Sequence, residues 1–104
     1  MLGRDVIVIG GSAGSIAALR ELVGRLPGNL AASTFVVVHI GAAAESFLPE
    51  TLASAGKLPA SWAANGGIIE HGHIYIAPPD HHLLLERDYM RLIRGPKENH
   101  AVRQ

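Results

Sequence analysis

The sequence predicts an α/β domain built on a parallel sheet, with a short β-hairpin near its C-terminus. Three observations carry that expectation. An apolar run, Val6–Ile9, meets Gly10 and Gly11 and then a helical pattern. A second run, Thr34–His39, is β-branched and apolar almost throughout, as a parallel strand buried on both faces should be. From Ile68 onward short alternating segments are cut by Gly72, Pro78-Pro79 and Arg87-Asp88, the pattern of short strands and turns.

The elements follow in order. Strand one is Val6–Ile9. The glycines permit a tight turn with Ser12 on it, and a helix is expected over Ser15–Val23. Ile16, Leu19, Leu22, Val23 and Leu26 are spaced as an amphipathic stripe, with Arg20, Glu21 and Arg25 on the polar side. Pro27 and Gly28 end that helix. Strand two, Thr34–His39, leads into the small-residue loop Gly41–Ala44. Ser46 is placed to cap a helix reaching Ala55, with Pro49 in its first turn and Gly56 at its end. Ser61–Asn65 reads as a short third strand and Gly66-Gly67 as a turn. His73–Ala77, His81–Glu86 and Met90–Arg94 read as strands, the last two forming the hairpin, with Leu83–Leu85 in the core. Gly95 and Pro96 close the hairpin, and Lys97–Gln104 is a polar tail without periodicity.

Composition narrows the function classes. The 104 residues make one domain at most, and 48% hydrophobic content argues against disorder. Nine basic residues balance nine acidic ones, so no basic field is present to hold nucleic acid or an anionic membrane. There are no cysteines, which excludes disulfides, a thiol nucleophile and thiolate metal sites. No apolar run approaches the roughly 20 residues a membrane span needs, and no signal peptide is legible, so membrane insertion is not expected.

Residues Gly10-Gly11-Ser12-Ala13-Gly14 spell G-x-S-x-G. A serine on a sharp strand-to-helix turn exposes its Oγ, and neighbouring N–H groups can hold an oxyanion. A glycine-rich turn of any α/β protein is the plainer account of the same letters. If the first two strands are adjacent and parallel, Ser12 and His39 end on one rim, where open α/β sheets place their sites. Histidine is the usual base for a serine nucleophile. Dinucleotide binding is the competing reading, but G-x-G-x-x-G started at Gly10 puts Ser12 and Ser15 where glycines belong, and strand two ends in His39 rather than an acid. His71 and His73 would share a strand face, while His81 and His82 would point to opposite faces. Nothing in their spacing makes ligands converge, so no metal site and no cofactor is expected. Arg91, Arg94 and Lys97 read as a solvated face.

Taken together, VIGGSAGSIAALRELVGRLP, FVVVHIGAAAESFLPETLA, GGIIEHGHIYIAPPDHHLLLE and RLIRGPKEN resemble the catalytic domain of the CheB-type chemotaxis protein-glutamate methylesterases. The likeness runs from Asp5 to Asn99, and HGHIYIAPPDHH is its most specific stretch. It implies a three-layer, Rossmann-like α/β domain that hydrolyses glutamyl methyl esters on chemoreceptors, and in many members deamidates glutamines. It assigns Ser12 as nucleophile, His39 as base and the backbone N–H of Ala13 to the oxyanion hole, where alanine replaces a frequent threonine. His82 falls on a common family histidine and reads as structural. The same resemblance implies a cytoplasmic protein, methyl-accepting receptors as partners, and a partial domain over residues 1–104. The family's receiver domain and triad aspartate are expected to lie outside this chain. A sheet ending partway through the fold should also leave an apolar edge open to self-association.

Overall fold

A computed structural model describes residues 5–12, 14, 16–39 and 47–94. Its elements are β1 (Val6–Ser12), α1 (Ile16–Gly24), β2 (Ser33–His39), α2 (Leu48–Ala55), β3 (Ala60–Trp62), β4 (His73–Ile76), β5 (His81–Leu85) and β6 (Met90–Arg94). The first four strands form a parallel sheet in the order β1-β2-β4-β3, and β5 and β6 form an antiparallel hairpin. The expected class, a parallel α/β sheet with a terminal hairpin, is the class observed.

Alternation along the central strands builds two cores. Val36 and Val38 of β2 and Ile74 and Ile76 of β4 point to one face, where Leu19 and Val23 of α1 and Leu48 and Leu52 of α2 cover them. Phe35 and Tyr75 point to the other face and stack with ring centroids 5.3 Å apart, under Met90, Leu83 and Leu92 of the hairpin. The layers are therefore helices, sheet and hairpin. The two helices meet closely at their ends: a Cβ on Gly56 would lie 2.6 Å from the Val23 carbonyl oxygen, and one on Gly24 would lie 2.9 Å from that of Ala55. Only glycine admits that approach.

Several boundaries differ from the sequence reading. Strand β1 does not stop at Ile9; Gly10, Gly11 and Ser12 continue the ladder against Val37, Val38 and His39. Neighbouring β2 supplies a full row of partners, and glycine accepts extended backbone as readily as a turn. Strand β3 is Ala60–Trp62 rather than Ser61–Asn65, because the chain turns at Gly66 (φ +84°) and the Asn65 side chain accepts a hydrogen bond from the Leu92 N–H at 2.9 Å. Leu22 is exposed, since it falls on the flank of the helical stripe rather than its centre. Leu84 and Leu85 are also exposed, so only Leu83 of that run joins the core. Helix α2 begins at Leu48 with no side-chain cap from Phe47, and Pro49 lies in its first turn as expected. The proposed capping residue Ser46 and the tail from Gly95 lie outside the described residues. Among the described residues no helix is long and apolar enough to cross a membrane.

Candidate active site

The parallel register sets the geometry of the candidate site. Ser12 ends β1, His39 ends β2, and the two are Cα partners in the ladder. Neighbouring strands lie about 4.8 Å apart, so the two strand ends are as close as a sheet allows. Ser12 is exposed on the carboxyl rim, and α1 starts four residues later at Ile16. A strand that delivers a hydroxyl just ahead of a helix N-terminus is a good place for developing negative charge, because the first helical N–H groups have no intrahelical acceptor. Ala13, expected to contribute one such N–H, lies outside the described residues.

Strand β4 brings a third segment to the same rim. The Ala77 N–H donates to the Val36 carbonyl at 2.9 Å, holding the start of the Pro78-Pro79-Asp80 turn against β2. Asp80 has φ 63°, the left-handed conformation that aspartate tolerates better than most residues. His81 Nδ1 lies 2.8 Å from the Pro79 carbonyl oxygen. A carbonyl can only accept, so Nδ1 is the donor in this contact. Nothing in the one-residue spacing of the histidines announced this contact; the Pro-Pro-Asp turn was its sequence signal. Asp5, by contrast, sits at the amino end of β1, and Asp88 at the far turn of the hairpin. Of the described aspartates, only Asp80 stands at the rim.

The remaining histidines are dispersed. His71 is in the turn before β4 rather than on a strand face with His73. His73 Nε2 is 3.0 Å from Ser61 Oγ, and its ring stacks on Tyr75 with centroids 4.5 Å apart. This serine–histidine contact lies toward the amino end of the sheet, and sequence spacing did not reveal it. His81 and His82 do alternate, and His82 is exposed. Among the described residues no three His, Cys, Asp or Glu side chains gather as a metal site. Below the rim, Tyr75 takes a hydrogen bond from the Glu70 N–H and donates to the Ile68 carbonyl. Burial pushes its hydroxyl pKa up, the Glu70 backbone hydrogen bond opposes that rise, and the Glu70 charge adds to it.

Fold and rim together define a class: parallel α/β domains with a serine ending the first strand beside a histidine ending the second. Comparison with known proteins places the chain within that class. The family model described as CheB methylesterase matches residues 7–104. A protein-glutamate methylesterase/protein-glutamine glutaminase of Anaeromyxobacter dehalogenans is 40% identical over 86 residues, covering 83% of this chain and 25% of that protein. One from Methanosarcina mazei is 33% identical over 103 residues, covering 91% and 28%. The crystal structure of the Thermotoga maritima CheB methylesterase catalytic domain superposes with a TM-score of 0.86 at 30% identity, covering 94% of this chain and 54% of that one. The chain belongs to the CheB methylesterase family. It spans about a quarter of the length of these two curated relatives and about half of the solved domain.

Proposed function

We propose that residues 1–104 carry the nucleophile and base of a protein-glutamate methylesterase, as one part of such a domain, working in the cytoplasm on methyl-accepting chemoreceptors. The pairing of Ser12 with His39 at adjacent strand ends is the observation that carries this reading. Positions opposite one another in a parallel ladder belong to the same face of the sheet. In the proposed reaction His39 takes the Ser12 hydroxyl proton as Oγ attacks the ester carbonyl. The Ala13 N–H supports the oxyanion. The tetrahedral adduct collapses, and methoxide leaves as methanol with the proton held by His39. Water then attacks the acyl-enzyme, passes a proton to His39, and Ser12 departs reprotonated, leaving a glutamate carboxylate. The same steps on a glutamine side chain release ammonia.

The runner-up is a non-catalytic member that binds receptor or partner surfaces. Among the described residues Asp80 is the only aspartate at the rim. An aspartate that orients the base in a serine triad is worth about 10⁴ in kcat, and Asp80 makes no hydrogen bond or ion pair among the described residues. A fluorophosphonate probe with peptide mapping separates the two. The catalytic reading expects label on Ser12 that disappears in Ser12→Ala. Label on Ser61, or no label on a folded chain, sinks it and leaves the binding reading.

A further inference from the structure

The geometry points to Arg94 as a residue that selects substrates carrying a second carboxylate beside the esterified glutamate; this rests on the methylesterase reading above. Three placements support it. First, the hairpin runs back from the carboxyl rim over the sheet: β5 starts at His81, just after the rim turn, and His81 is paired with Arg94. The hairpin's other end, Leu85 with Met90, lies lower, where Gly66 donates to the Met90 carbonyl and Ile69 to that of Asp88. Arg94 therefore ends β6 at the level of the candidate site. Second, Leu83 and Leu92 pack on Phe35 and Tyr75, so the positions sharing their face at the rim end are His81 and Arg94. That is the face of the sheet to which β2 positions 35 and 37 belong. Third, Arg94 is exposed and makes no ion pair among the described residues, whereas Arg91 of the same strand is held by Glu86 at 3.1 Å.

Among the described residues the arginine is thus a cation without an ion-pair partner, at the rim end of the hairpin, near a candidate site whose reaction product would itself be a carboxylate. A guanidinium offers five N–H donors in a planar fork that matches a carboxylate. The Nδ1–H of His81 is already bonded to Pro79, which leaves the guanidinium fork of Arg94 as the larger donor set at this pair. The chemistry recognised is an acidic side chain on the same polypeptide segment as the ester.

The test is fluorescence anisotropy with two labelled peptides bearing one glutamyl methyl ester, flanked by glutamates in one and by glutamines in the other. The 104-residue chain and Arg94→Gln are compared at low and high salt. The expected result is tighter binding of the glutamate-flanked peptide by about threefold to fivefold, the range of an exposed ion pair. That preference should vanish in Arg94→Gln and shrink with salt. Equal binding of the two peptides, no binding of either, or a preference that survives Arg94→Gln overturns the assignment. Hydrolysis is scored separately on the same peptides. A salt-sensitive preference without turnover would defeat the esterase reading and leave the selecting role of Arg94 standing.

Discussion

The two faces of the sheet are built differently. On the helix face, nine buried apolar side chains close on one another, and α1 and α2 touch through Gly24 and Gly56. On the hairpin face the cover is partial. Phe35 and Tyr75 are buried under Met90, but Val8, on the edge strand beside Phe35, is 65% exposed. Among the described residues strand β1 is also the long edge of the sheet, seven residues without a charge or a proline, whereas the opposite edge β3 has three. The difference separates two tasks. One face holds the fold together, and the other leaves the first strand, with Ser12 at its end, open to something else.

Single substitutions sharpen that contrast. Leu52→Ala removes a side chain with no exposure from the helix face, and should cost about 2–5 kcal/mol in denaturant unfolding. A loss below about 1 kcal/mol would mean that the helix face is not the main support. Thr34→Val acts in the opposite direction: its Oγ1 is buried with no hydrogen-bond partner among the described residues, so removing the hydroxyl should raise stability by about 1 kcal/mol, read from the melting midpoint. Val8→Lys should change stability least, by about 0.5 kcal/mol, since the side chain is already largely in water. Its signature is instead in light scattering. We propose that the wild-type chain self-associates through the β1 edge, and a lysine there should reduce the apparent mass. A wild-type chain that stays monomeric at high concentration defeats the edge proposal.

Much of the fold is legible in local pattern. The β-branched run at 34–39 and the spacing of Leu19, Val23 and Leu26 state their partners directly, because burial on two faces or one leaves a distinct period. The adjacency of the first two strands, inferred only as a condition, is what brings Ser12 opposite His39. What local pattern could not provide was anything decided across strands. Gly10 and Gly11 look like a turn until β2 supplies the ladder that keeps them extended. Leu84 and Leu85 look like core because hydrophobicity does not say how far a covering layer reaches. The Ser61–His73 contact depends on the neighbouring placement of β3 and β4, twelve residues apart in the chain. His81 is fixed by a turn whose residues were visible but whose hydrogen bond was not.

The Tyr75 hydroxyl has a mechanical consequence. It ties the Ile68 carbonyl and the Glu70 N–H to a central strand, and the same loop is bonded to β6 through Gly66, Gly67 and Ile69. The hairpin is consequently pinned at both ends, by the Pro-Pro-Asp turn above and by this loop below. Among the described residues it is therefore tied to the sheet from two sides, and should move with the sheet rather than apart from it.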